Sequence, residues 1–248
     1  MGAGVRFAVA FASAMTAAAP VARPTVLAVP ASNVIEAVSA QYAAVSNLVC
    51  TVRREASDGK GGKIETMSRV AWARGDRMNV HTLKPVERRT VIDGVTIQIK
   101  DASEKAPAIY QVTNQAPSQF ANLRSVPGSP EEMLAPLAGL SASDVPPIHP
   151  FARTISLRDS AEDAVVARLS LDAEGRVARL DFDVSAARQS SSVHFRAPFE
   201  ALPGVWLFRR TESEAVVDGH TIRMVSRFDK FEVNGDLPAS LFDPGAFF

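Results

Sequence analysis

A lone cysteine, Cys50, cannot close an intramolecular disulfide, so an apolar core has to hold this chain together. An excess of one charge is missing as well. Lys plus Arg and Asp plus Glu both number 27, which leaves no net field with which to hold nucleic acid or an anionic membrane surface. Histidine is scarce, and His81, His149, His194 and His220 fall in separate segments. Neither HExxH, CxxC nor a carboxylate-rich loop accompanies them, so no metal and no cofactor is expected. The chain lacks a GxSxG elbow, a P-loop and a GxGxxG turn. Cys50 falls on the apolar side of its strand, where a thiol packs rather than reacts. No catalytic residue is nominated and an enzyme is not expected. No run reaches the ~18 apolar residues that a membrane-spanning helix needs.

What is present begins with an export signal. Arg6 precedes an uncharged small and apolar stretch at residues 7–19, the layout of a secretory signal peptide. Pro20 directly after Ala17-Ala18-Ala19 makes a poor residue just past a cut, which favours cleavage after Val26-Leu27-Ala28. The expected division is a signal peptide at residues 1–28 and one domain at 29–248. Cys50 lies too far from the cut to carry a lipid. With 46% hydrophobic residues, the remainder is long enough to fill the core of a single β domain.

Along that domain, Asn33 as N-cap with Glu36 three positions on, followed by Val34, Ile35, Val38, Tyr42 and Val45 at helical spacing, predicts one amphipathic helix to about Val45. From Leu48 the period becomes two, and strands at 48–56, 63–74 and 77–83 follow, punctuated by Gly-rich turns. Asp93-Gly94 between the β-branched runs 90–92 and 95–99 marks a tight hairpin. Strands at 165–171, 176–184, 205–217 and 220–233 form later hairpins. Between the two sets, residues 117–150 hold seven prolines. There Ser129-Pro130-Glu131-Glu132 starts a short helix at 130–138 inside a long crossing loop. Successive hairpins mean antiparallel pairing. Alternation assigns Trp72, Met78, Val80, Ile97, Ile99, Leu180, Phe182, Phe195, Met224 and Phe228 to the apolar strand faces, with Val38, Tyr42, Leu134 and Leu137 as the helix residues turned towards them.

The order of these segments resembles the LolA-like family of periplasmic lipoprotein carriers, in the wider group with LolB-like and RseB-like proteins. The likeness runs through Tyr42-Ala43-Ala44-Val45-Ser46-Asn47-Leu48, Arg69-Val70-Ala71-Trp72-Ala73-Arg74 and Val91-Ile92-Asp93-Gly94. It continues through Leu169-Ser170-Leu171-Asp172-Ala173-Glu174-Gly175-Arg176-Val177, then Val233-Asn234-Gly235-Asp236-Leu237-Pro238 and Leu241-Phe242, and so spans about residues 33–243. The resemblance implies a mainly β (α+β) fold, a curved antiparallel sheet forming an unclosed half-barrel with helices on its concave face. It implies a periplasmic carrier that holds lipid acyl chains or a lipoprotein in an apolar cavity for transfer towards the outer membrane. The cavity would be lined by the ten strand residues named above together with Leu134 and Leu137. It further implies a monomer that meets an inner-membrane transporter and an outer-membrane acceptor. The rival is an RseB-like sensor that binds lipid or a partner without transporting it. Where the family carries an arginine-proline pair after its aromatic strand, this chain has Arg74-Gly75. Arg74 is therefore the gating candidate, without the proline.

Overall fold

The computed structural model describes residues 26–111, 125–161, 164–184, 189–217 and 219–243. The chain builds β1 (Asn47–Ser57), β2 (Lys63–Ala73), β3 (Arg77–Lys84), β4 (Arg88–Asp93), β5 (Thr96–Asp101), β6 (Ala108–Gln111), β7 (Ser141–Val145), β8 (Arg153–Asp159), β9 (Ala164–Leu171), β10 (Val177–Val184), β11 (Gln189–Leu202), β12 (Val205–Val217) and β13 (His220–Val233). Helix α1 (Val34–Gln41) precedes the sheet and α2 (Glu131–Leu134) lies between β6 and β7. The strands form one 13-stranded antiparallel sheet in the order β6-β5-β4-β3-β2-β1-β13-β12-β11-β10-β9-β8-β7. Two meanders therefore meet at its centre, where the first strand pairs with the last. The sheet does not close, so it is an unclosed half-barrel with few helices.

Local chemistry fixes the turns. Gly94 (φ +94°) and Val95 form the β4–β5 corner, and the Asp93 carboxylate accepts hydrogen bonds from the N–H of Val95 and Thr96 at 2.8 and 2.7 Å. Asp172 does the same for Glu174 and Arg176 at 3.1 and 2.9 Å. An aspartate before glycine thus anchors its hairpin through its side chain. The expected side-chain N-cap at Asn33 is absent. A 3-10 turn, Ala31–Asn33, runs straight into α1, and no side-chain bond is made at the cap. At α2 the Ser129 hydroxyl accepts from the Glu131 N–H at 3.3 Å. The helical stretch there is one α turn followed by a 3-10 turn, Ala135–Leu137.

Four strands escaped the sequence reading, each for a physical reason. β6 is exposed along its whole length and shows no alternation. β7, Ser-Ala-Ser-Asp-Val, is mostly polar. In β8 Thr154, Ile155, Ser156 and Leu157 are all buried, so the alternation is hidden, and the Thr154 hydroxyl accepts from the Ile148 N–H at 3.2 Å. β11 contains a serine run and Pro198, a residue that argues against a strand from sequence.

The main core lies between the inner face and α1, α2 and the N-terminal segment. A smaller cluster of Ala71, Ala73 and Phe242, with Val49, Leu237 and Leu241, sits on the outer face, where the C-terminal 3-10 turn, Ala239–Phe242, packs against β3 and β4. The Asn79 side-chain N–H donates to the Leu241 carbonyl at 2.6 Å. The N-terminal segment is tied down by Arg153 of β8. Its Nη1 donates to the carbonyls of Val26, Leu27 and Val29 at 3.1, 3.3 and 2.7 Å, while its Nε and Nη2 grip Asp144 of β7. Val26, 3% exposed, is part of the core. Arg153→Ala is expected to cost about 2 kcal/mol, because hydrogen bonds to a charged group are lost at one point. Urea unfolding should show a lower midpoint with an unchanged slope.

Candidate ligand-binding concavity

Strand register places all ten predicted strand residues on the inner face. One row runs Ile97, Ile92, Met78, Trp72, Leu48 across β5 to β1, and the next runs Ile99, Thr90, Val80, Val70, Cys50. Val52 and Phe228 stand opposite each other across β1–β13. Met224, Ser213, Val193, Leu180 and Leu169 form a row across β13 to β9, and Phe182 lies one row further on. Phe195 stands opposite Thr211. The helical residues Val38, Tyr42, Leu134 and Leu137 join the same cluster, so the expected facing is observed.

The face divides in two. Trp72, Met78, Ile97, Leu134, Leu137, Leu180 and Phe195 are buried, each at most 5% exposed, and form packed core beneath the helices. Val80, Ile99, Phe182 and Phe228 are half-buried and lie at the margin of that core. Met224 is half-buried outside the cluster. Phe199 and Phe231, which the sequence reading did not select, extend the margin. Their rings are 4.8 Å apart, Phe231 lies 6.3 Å from Phe228, and the Arg209 guanidinium covers Phe199 at 4.4 Å. Phe199 lies on β11, from which the sequence reading took Phe195 alone. Further out the face turns polar, with Ser68 and Thr82 hydroxyls 3.1 Å apart and Arg54 Nε donating to Ser226 Oγ at 3.3 Å.

Arg74, at the β2–β3 turn, reaches back to α1. Its Nε donates to the Val45 carbonyl at 2.7 Å, its Nη2 to the Tyr42 carbonyl, and its guanidinium stacks 5.7 Å from the Trp72 ring. Cations suit a helix C-terminus because the last carbonyls lack intrahelical partners. The Tyr42 hydroxyl donates to the Trp206 carbonyl at 2.8 Å, so the same turn is held to β12. The α2 loop enters at Gly128, whose carbonyl accepts from the Phe208 N–H at 2.9 Å. Its φ of +79°, and a Cβ position 3.2 Å from both the Phe208 carbonyl oxygen and the Phe231 ring, require glycine.

A separate cavity of about 330 Å³ opens at one end of the sheet, lined by Val26, Val29, Ala37, Ala40, Trp206 and the 174–176 turn. Arg176 stacks 4.8 Å over Trp206 and is paired with Asp172 and Glu174. None of the residues nominated from sequence lines it. Cys50 is buried, and desolvation pushes its thiol up to about 12, which keeps it a protonated filler. Among the described residues no group of three or more His, Cys, Asp or Glu could hold a metal ion, and no helix is long and apolar enough to cross a membrane.

No family model and no curated protein matches this chain. Solved structures do. A LolA superfamily protein from Nitrosomonas europaea superposes with a TM-score of 0.56 at 13% identity, covering 87% of this chain and 98% of that one. The chain shares the fold of that protein. A DUF1329 family protein from Desulfovibrio piger (TM-score 0.49, 10% identity, 87% and 97% covered) has a similar outline. So has an outer membrane lipoprotein-sorting protein domain from Vibrio parahaemolyticus (0.46, 9%, 86% and 96%). Strand alternation gathers the apolar residues on one face of this sheet, and the Arg74 clip holds the turn that ends α1 against it.

Two carboxylates sit at that cover. Burial pushes both Glu131 and Glu132 up. Glu131 is opposed by its bond from the Val126 N–H and by Arg74, and Glu132 by Arg54. A folded-state value above the unfolded one means that the native protein holds the proton more tightly. That contribution is present below the unfolded carboxylate range and is lost as pH rises through the folded value. Glu132→Gln is therefore expected to raise the urea midpoint at neutral pH and to flatten the decline in stability on the alkaline side of its titration. Midpoints measured from acid to neutral pH check both.

Proposed function

We infer that this protein is an exported, periplasmic carrier that binds the acyl chains of a lipid or lipoprotein on the concave face of its half-barrel, without covalent or metal chemistry. The observation that carries this reading is the unclosed apolar face. Val80, Ile99, Phe182 and Phe228 remain half-exposed beside a packed core, together with Phe199 and Phe231. Acyl chains burying such surface gain ~0.8 kcal/mol per CH₂ and need no hydrogen-bond partners. The buried set, Trp72, Met78, Ile97, Leu134, Leu137, Leu180 and Phe195, serves as the closed floor, and Met224 lies nearer the lip. Arg74 serves as the latch. With its bonds to the Tyr42 and Val45 carbonyls made, α1 covers the floor; with them broken, the cover lifts and the apolar face lengthens. The transfer route runs from an inner-membrane transporter to an outer-membrane acceptor, with the carrier as a monomer between them.

Two experiments test this. Purified protein should take up a fluorescent fatty acid. Val80→Phe and Ile99→Phe should reduce uptake while shifting stability by no more than about 0.5 kcal/mol, as for half-exposed sites. Ile97→Trp, set in packed core, should instead cost ~1–3 kcal/mol. No uptake by the parent protein removes the basis of the reading.

Export brings a revision of the cut site. Cleavage after Ala28 would delete Val26, a core residue, and two of the three carbonyls that Arg153 holds. A cut upstream of Val26 would keep both, and we propose it in place of the one after Ala28. N-terminal sequencing of exported protein should find Val26 retained, and a start at Val29 would reject this placement.

A further inference from the structure

The outer face of the sheet carries a band of cations that the carrier reading leaves without a task. Arg53 of β1 stands directly opposite Arg227 of β13, Arg227 opposite Arg210 of β12, and Arg210 opposite Arg196 of β11. Residues directly opposite share a face, so four guanidinium side chains follow one line across four adjacent strands, spaced ~4.8 Å at the backbone. On β2, Arg69 pairs with Thr51, two residues from Arg53, and the line continues from Arg69 to His81, Arg89 and Lys100 on β3, β4 and β5. The band thus crosses β5 to β11 through the centre of the sheet.

Like charges directly opposite on neighbouring strands destabilise a sheet, so this line works against the isolated fold. Compensation is partial. Glu212 lies 2.7 Å from Arg210 and 3.8 Å from Arg196, and Glu55 pairs with Arg227. On the β2–β5 side, His81 bonds Glu87 and Arg89 bonds the Asn79 amide oxygen. On the line itself two bonded carboxylates, Glu212 and Glu55, stand against four arginines. Arg53 and Arg196 are exposed, and the buried Nε of Arg210 lacks a hydrogen-bond partner.

We propose that this band is a docking line for an extended acidic polypeptide segment of a partner protein. Two features favour a narrow chain over a membrane. The band runs across the strands and so follows the curvature of the half-barrel, which a flexible chain can track and a flat bilayer touches only locally. It is also flanked by carboxylates, Glu65, Glu55 and Glu212 on one side and Asp229 and Glu232 on the other. Those rows repel a broad anionic surface, and a single extended chain laid along the arginine line meets fewer of them. Arginine suits the task because its planar fork binds carboxylate in bidentate fashion. The docking line lies on the face opposite the concavity and does not depend on what the concavity holds.

The probe is a fluorescein-labelled synthetic peptide of alternating Glu and Ser, followed by fluorescence anisotropy with the full mature chain. Saturable binding that weakens as salt rises towards ~0.15 M is expected. Arg53→Gln, Arg196→Gln and Arg227→Gln combined should raise Kd about tenfold or more, equivalent to about 1.4 kcal/mol. Lys60→Gln, Lys63→Gln and Lys105→Gln combined remove the same charge from exposed sites elsewhere and should leave Kd nearly unchanged. Circular dichroism melts confirm that both variants fold. Equal losses in the two variants, no peptide binding by the parent, or tighter capture of phosphatidylglycerol vesicles or heparin than of the peptide overturns the proposal.

Discussion

An antiparallel sheet of thirteen strands that never closes must find something other than itself to cover its apolar inner face. Laid side by side at ~4.8 Å, so many strands span roughly 58 Å. Helix α1 has eight residues, a length of about 12 Å at 1.5 Å per residue, and α2 is a single turn. The cover is too small for the face by arithmetic alone. What the helices reach becomes core, with Leu48, Ile92, Leu134 and Leu180 sealed from solvent. What they do not reach stays half-buried, as Val80, Phe182 and Phe228 show.

The covering pieces are held differently from the strands. Each strand is bound to its neighbours by a ladder of backbone hydrogen bonds, whereas α1 and the N-terminal segment hang on a few guanidinium clips. Arg74 holds the carbonyls of Tyr42 and Val45, and Arg153 holds those of Val26, Leu27 and Val29. Such bonds contribute about 1.5–3 kcal/mol when one partner is charged, less than the loss of a strand would cost. The cover is therefore held by fewer bonds than any strand of the sheet. Half-buried carboxylates at Glu131 and Glu132 weaken the cover further at neutral pH, because their desolvation is only partly offset by Arg74 and Arg54.

The sequence made legible whatever depends on alternation and turn chemistry. Asp93-Gly94 and Asp172 before Gly175 marked hairpins because a carboxylate caps the turn in both places. Every residue assigned to the apolar face lies on the inner face. Three things were not legible. Strands whose burial is two-sided, such as β8, have no period to read, and an edge strand such as β6 has no buried side at all. The division of the inner face into sealed floor and open margin depends on where two small helices land, which no periodicity encodes. The cavity beside Trp206 forms from residues in four separate stretches of chain, and none of them carries a local signal of it.

The seam between the first and last strands sets both faces at once. Val52 and Phe228 face inward as a pair, and the adjacent pair, Arg53 and Arg227, faces outward. Side chains alternate with a period of two, so a slip of the last strand by one residue at this seam would turn Arg227 into the core and Phe228 out to water. The register is therefore strongly determined by solvation. The irregularity between Val49 and Thr51 is where the seam absorbs its mismatch, next to the buried Leu48 and Cys50 and clear of the Val52 and Arg53 pairs. The same backbone ladder that sets the apolar margin on one side thus draws the arginines into line on the other, and neither feature can shift without moving the other.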